Sequence, residues 1–216
     1  GHPIEEWQLV IVKELVDNAL DACEEANIAP HIEVTADACH IGIKDNGPGL
    51  PESTLLDAMN FGIRVSNREA YVAPDRGAQG NALMTLLSMP AVLDPASGQI
   101  VVDAHGQRHH IACTIDPISQ RPVIRHSAVK SRARGTLVRL EWSRRNSGGD
   151  PVWPFQPNTC VERSTVADLL HHLLEGFAIF NPHASFRFDW FGKRTDWKAT
   201  TPNWQKWKPN RPTSAH

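Results

Sequence analysis

The chain has 216 residues, 41% of them apolar and 21% charged, with a formal net charge of −2. That composition supports one large globular domain, with or without extensions, and excludes a disordered chain. No run approaches the ~20 apolar residues a membrane span needs, no leader resembles a secretory signal, and Cys23, Cys39, Cys113 and Cys160 form no C-x-x-C pair, so a reduced, cytoplasmic protein without a zinc ribbon is expected.

From about Ile4 to Ala26 the period is helical, with Val12, Leu15, Val16, Ala19, Cys23 and Ala26 on one apolar stripe. Pro30 ends that segment, and His31–Ala36 and His40–Asp45 read as short strands. The run Asp45-Asn46-Gly47-Pro48-Gly49 is a dense turn signal, followed by a short helix over Glu52–Met59. Residues 62–80 are polar and punctuated by glycine, which predicts a long loop. Ala82–Met89 reads as a helix stopped by Pro90.

Four strands are then expected at Gln99–Ala104, His109–Ile115, Val123–Val129 and Thr136–Trp142, separated by turns such as Ser97-Gly98 and His105-Gly106. Residues 146–157 are a Pro/Gly/Ser-rich loop. Thr165–Phe180 is a second amphipathic helix, with Val166, Leu169, Leu170, Leu173, Leu174 and Phe177 inward, and Ala184–Trp190 is a last alternating strand. The tail from Lys193 has no regular period. It holds six Lys/Arg against Asp196 alone, a local +5 that leaves −7 for residues 1–192. The layout predicts a two-layer α/β sandwich with a mixed, mostly antiparallel sheet and helices on one face, rather than a doubly wound sheet.

Chemistry concentrates on the first helix. Glu14, Asn18 and Asp21 fall within an arc of roughly 60° on a 3.6-residue helix, opposite the apolar stripe. A solvated polar face is the plain alternative. Against it, Glu14, Asp17, Asp21 and Glu25 crowd together with only Lys13 near, and Asn18 is a poor helix former in mid-helix. Such a strip gains most by holding a cation or a polarised water. A second cluster, Arg76-Gly77-Ala78-Gln79-Gly80-Asn81-Ala82, opens directly into a helix and would offer backbone N–H groups to an anion. It is neither a Walker A loop nor the dinucleotide G-x-G-x-x-G. Gly135-Thr136 then opens a strand with a hydroxyl.

In order and spacing, Glu14-Leu15-Val16-Asp17-Asn18-Ala19-Leu20-Asp21-Ala22, Asp45-Asn46-Gly47-Pro48-Gly49, Arg76-Gly77-Ala78-Gln79-Gly80 and Gly135-Thr136 resemble the N, G1, G2 and G3 boxes of the GHKL ATPases. Within that superfamily the resemblance is strongest to the B subunits of topoisomerase VI, which Asn181-Pro182-His183-Ala184 also resembles. It covers roughly residues 4–192, an ATP-binding domain, with residues 193–216 a basic extension towards a further region.

The resemblance implies a Bergerat fold that takes ATP and Mg2+ under a lid over residues 62–80. By position, Glu14 would be the general base and Asn18 the magnesium ligand. Asp45 would accept from the adenine amino group, with Asp21 and Thr136 in support. Gly47 would belong to the same turn, and Gly49 would leave room for the base. Arg76, Gly77, Gln79, Gly80 and Asn81 would wrap the triphosphate. It further implies DNA as partner of the intact protein, a nucleotide-dependent homodimer, a DNA-cleaving partner subunit and association with the nucleoid. A non-cleaving clamp of the MutL or chaperone kind, or a histidine kinase domain, are the other members this pattern allows. Ala82 departs from the usual glycine of the second box, and the transducer domain that supplies a lysine to the γ-phosphate has no counterpart in the sequence.

Three weaker features remain. The adjacent pairs His109-His110 and His171-His172 do not make a metal site by themselves. The run Arg121, Arg125, Lys130, Arg132 and Arg134 reads as a solvated edge or a DNA-backbone patch. Trp197, Trp204 and Trp207 interleave with lysines, which suits packing against a further domain or stacking on a single strand.

Overall fold

The computed structural model describes residues 3–59, 86, 88–118, 122–143, 145, 149, 153–155 and 163–201. A 3-10 turn at Ile4–Glu6 leads into α1 (Trp7–Glu25), then β1 (His31–Asp37), β2 (His40–Lys44) and α2 (Glu52–Met59). Four strands follow: β3 (Gln99–Ala104), β4 (Gln107–Ile115), β5 (Pro122–Lys130) and β6 (Leu137–Glu141). The helix α3 (Arg163–Phe180) and the hairpin β7 (Ser185–Trp190) and β8 (Lys193–Trp197) complete the order.

The eight strands form one sheet in the order β5-β4-β3-β6-β2-β1-β7-β8. Only β1 and β7 run parallel, because α3 carries the chain across before β7 is laid down beside β1; every other pair is antiparallel. The mixed, mostly antiparallel sandwich expected from the layout is the observed fold.

Three local expectations are corrected. Residues 88–93 are helical with Pro90 inside the segment, although the sequence predicts a stop there. Proline lacks the donor and crowds the turn before it, but its carbonyl still accepts from the Asp94 N–H at 2.8 Å and carries the helix on. The first residues of the tail, expected to be irregular, form β8. Phe191 (φ +51°) and Gly192 (φ +83°) make a two-residue turn that pairs Trp190 with Lys193. Phenylalanine seldom takes that conformation, so the turn carries no sequence signal. Leu169, expected inward, is 45% exposed.

One continuous core lies between the helices and the sheet. From α1 come Ile11, Val12, Leu15, Val16, Ala19 and Leu20; α3 adds Val166, Leu170 and Leu174; α2 adds Leu55 and Ala58. They pack on Ile32, Val34, Ile41, Ile43, Ile100, Val102 and Leu140 of the strands. Each fully buried aliphatic side chain contributes about 1.5–3 kcal/mol. Both ends of α1 are also fixed by polar contacts. Trp153, packed edge-to-face on Trp142, Phe155 and Trp190, donates from Nε1 to Gln8 Oε1 at 2.9 Å. At the other end His183 Nε2 meets Glu24 Oε1 at 3.0 Å. The helix carrying the polar arc is thus held at its first and last turns. No described helix is long and apolar enough to cross a membrane.

Candidate functional site

The loop after β2 is built around Asp45, which is 6% exposed. Its backbone N–H donates to Thr136 O at 2.9 Å. Its Oδ1 accepts from the Gly47 N–H at 2.8 Å and from the Thr136 N–H at 3.1 Å. Asp45 and Thr136, 91 residues apart in sequence, are thereby locked together at the junction of β2 and β6. Gly135 permits this approach, and Gly49 lets the loop pass His105. A Cβ on Gly135 (φ +75°) would stand 1.9 Å from Asp45 O, and one on Gly49 (φ +97°) would press on the His105 ring at 3.1 Å. Asn46 braces the same loop from outside: its Oδ1 accepts from the His31 N–H at 2.7 Å and its Nδ2 donates to Ala29 O at 3.0 Å.

Burial pushes the Asp45 carboxyl above its ordinary value, and the bonds from Gly47 and Thr136 pull back only part of that rise. Its neighbour Cys23 is pushed up to about 12, by burial first and then by the charge of Asp45, so this thiol stays protonated at neutral pH.

Above Asp45 opens a cavity of about 290 Å³. Asn18, Asp21, Asp45, Gly49 and Thr136 of the expected site all line it. So do residues the motif reading left out: Ile43, Leu50 and Val138 as apolar walls, with Thr54 and Glu25 at polar positions. Ile43 and Val138 belong to the inward face of their strands, and strand alternation is the signal that could have found them, while Leu50 lies in the loop before α2. Leu15, Ala19 and Ala22 also line the cavity, so the polar arc of α1 borders the apolar stripe there instead of lying opposite it.

The other expected residues stand differently. Gly47 lies beneath the cavity, where a Cβ would sit 3.0 Å from Asp45 Oδ1 and 3.1 Å from Cys23 Sγ. Glu14 is one helical turn before Asn18 but is not a lining residue; its Oε1 lies 3.3 Å from Lys13 Nζ, which also holds Asp17 at 3.0 Å. Arg76, Gly77, Gln79, Gly80 and Asn81, with the lid expected over residues 62–80, lie outside the described residues.

Chemically the cavity is two-sided. Apolar walls and a buried carboxylate suit a flat heterocycle with an amino donor. The carboxamide of Asn18 and the carboxylate of Asp21 are hard oxygen donors of the kind magnesium takes. Elsewhere, the ligating atoms of His171, His172 and Glu175 lie within 4.8 Å of one another on α3. The histidine pair, unremarkable by itself in the sequence, gains Glu175 because a helix brings i and i+3 together.

The comparisons with known proteins agree with this geometry. The family model described as "Histidine kinase-, DNA gyrase B-, and HSP90-like ATPase" matches residues 6–145. The B subunit of the type 2 DNA topoisomerase 6 of Natronomonas pharaonis is 31% identical over 188 residues, 82% of this chain and 21% of that protein. Its counterpart in Methanococcoides burtonii is 29% identical over 188 residues, 82% of this chain and 27% of its own length. The chain therefore spans about a fifth to a quarter of these relatives. Among solved structures, the ATPase domain of the mismatch repair endonuclease MutL from Aquifex aeolicus has a TM-score of 0.51 at 18% identity, over 88% of this chain and 59% of that one, which is a likeness of fold. With a family model matched over most of its length and the Asp45–Thr136 cavity in place, this chain belongs to the histidine kinase-, DNA gyrase B- and HSP90-like (GHKL) ATPases and is similar to the B subunit of topoisomerase VI.

Proposed function

We propose that the chain binds Mg-ATP in the cavity above Asp45 and hydrolyses it, as the nucleotide-responsive part of a protein that acts on DNA. The observation that carries this reading is the buried Asp45 carboxylate, fixed by Gly47 and Thr136 at the floor of a 290 Å³ cavity whose rim holds Asn18 and Asp21. Adenine fits between Ile43, Leu50 and Val138 with its amino group towards Asp45. Asp21 and Thr136 support that contact. Asn18 turns its carboxamide oxygen to the phosphates, and there it would hold magnesium. That ion, when bound, supplies the positive charge that a transferring phosphoryl group requires.

Glu14 is the proposed general base. It shares a helix face with Asn18 and stands one turn before it, from where its carboxylate would draw a proton from the attacking water. Lys13 Nζ sits 3.3 Å from Glu14 and 3.0 Å from Asp17, a contact that Glu14 would exchange for the water. Residues 76–81 are the proposed wrap around the triphosphate. The kinship with the B subunits of topoisomerase 6 supports a DNA-linked role, a nucleotide-dependent homodimer and a DNA-cleaving partner subunit.

Calorimetric titration of Mg-ATP together with steady-state phosphate release tests the reading. Asp45→Asn should weaken ATP by about 10- to 100-fold, since a mismatched buried polar contact costs on the order of 1–3 kcal/mol. Glu14→Ala should leave affinity within about threefold and abolish turnover, because a base acts mainly in the transition state. Unchanged affinity in Asp45→Asn would remove Asp45 from the adenine contact, and turnover surviving Glu14→Ala would remove Glu14 from catalysis.

A further inference from the structure

Nothing in the nucleotide reading uses the basic run that leads from β5 to Thr136. Residues 117–140 contain no Asp or Glu, and Arg125, Lys130, Arg132 and Arg134 lie among them. All four are exposed. From residue 130 to 134 exposure alternates: Lys130, Arg132 and Arg134 point outward, while Ser131 and Ala133 are half-buried. A period of two marks an extended chain, so the three cationic side chains leave one side at intervals of about 7 Å.

The segment is pinned, not free to re-aim. The Ser131 N–H donates to Gly106 O at 2.7 Å, the Ala133 N–H to Ser131 Oγ at 3.2 Å, and the Thr136 N–H to Asp45. On the rest of the sheet, Arg108, Arg139, Arg187 and Arg194 each sit against a carboxylate. Among the described residues, Arg125, Lys130, Arg132 and Arg134 have no such partner. They also lie on β5 and its continuation, the outermost of the described strands. One lysine on an edge is enough to discourage strand pairing. A regular row of unpaired cations, mostly arginine, goes beyond that, and the guanidinium fork suits phosphate oxygens.

We propose that Lys130, Arg132 and Arg134 form a track that grips successive phosphates of a nucleic-acid backbone. The row suits singly charged groups repeated along a polymer, and the choice of nucleic acid over an acidic protein rests on the DNA-linked reading above. Contact is with the backbone, so it is independent of base sequence and sensitive to salt.

The test uses fluorescence anisotropy of a labelled duplex of about 20 base pairs with the 216-residue chain at roughly 50–200 mM salt. Lys130→Ala/Arg132→Ala/Arg134→Ala should lose at least about tenfold in affinity at the low-salt end. It should also lower the slope of log affinity against log salt by about 2.7, three contacts at ~0.9 each. A control, Lys193→Ala/Arg194→Ala/Lys198→Ala on and after β8, should lose less than about threefold. Equal losses in the two variants would mean diffuse attraction and overturn the track. So would polyglutamate displacing the protein as readily as unlabelled duplex, which would mark a surface for acidic proteins. Calorimetry on the first variant should return wild-type ATP affinity. A chain that binds no ATP yet loses DNA only in the first variant would sink the nucleotide reading and leave the track standing.

Discussion

Two backbone N–H groups converge on Asp45 Oδ1, and burial opposes the charge they favour. Burial prevails, so the carboxyl loses its proton at a pH above the ordinary 3.8. In the free protein, ionising Asp45 therefore costs stability as pH rises through that window. For the ligand the sign is opposite, because only the carboxylate accepts fully from an adenine amino group. Mg-ATP affinity should rise as pH climbs from about 4 through the raised pKa of Asp45, then level off towards neutrality. In Asp45→Asn that rise should vanish. Calorimetry from about pH 4.5 to about pH 7.5 reads both, and a wild-type profile matching the variant's would show that Asp45 does not titrate into the contact. At this scale the sequence was informative, since the spacing of Asp45 and Thr136 marks both residues. Their lock was not legible. It depends on Gly135 lying against Asp45 O, a contact between distant positions that no local pattern encodes.

Elements were legible where one face of each is apolar, and obscured where special backbone geometry intervenes. The apolar periods of α1 and α3 and the alternation of β1 located these elements to within a few residues. β8 carries no local signal because its turn rests on Phe191 at positive φ, and a helical wheel does not show that Glu14 lies beyond the cavity lining. The β3–β4 hairpin gives a test of element stability. Asp103 is 1% exposed, and Arg108 donates to its Oδ2 from Nε at 2.9 Å and from Nη2 at 2.6 Å. Burial alone would raise the Asp103 pKa, but the Arg108 contacts and the Ser131 hydroxyl outweigh it and hold the carboxyl below 3.8. A depressed carboxylate stabilises the fold above its unfolded pKa and loses that contribution as pH falls through its folded one. Arg108→Ala should cost about 2 kcal/mol at pH 7, below the usual ~3–5 for a fully buried pair because the guanidinium is 44% exposed. The cost should shrink towards pH ~3. Urea unfolding at both pH values measures it, and an equal cost at the two would assign the loss to packing.

At the scale of the whole molecule, α1 joins the cavity to the core. Leu15 and Ala19 are buried in the hydrophobic cluster and also line the cavity, while Trp153 and His183 hold the helix at its two ends. Nucleotide bound as proposed at Asn18, Asp21 and Asp45 would therefore act on the same packing that keeps the sheet covered, and global unfolding would release it. Mass action sets the size of the effect. At a ligand concentration about 100 times Kd the folded state gains about 2.7 kcal/mol. For a domain of this length each kcal/mol moves Tm by roughly 2–4 °C, so saturating Mg-ATP should raise Tm by about 5–10 °C. Asp45→Asn at the same concentration should show about half that shift or less, because its weaker affinity lowers the ratio of ligand to Kd. Glu14→Ala should keep the full shift, since Glu14 lies outside the cavity lining and its proposed part begins after binding. Thermal scans of the three proteins with and without nucleotide separate binding from turnover. A full shift in Asp45→Asn would place the nucleotide elsewhere on the molecule, and a lost shift in Glu14→Ala would make Glu14 a binding residue.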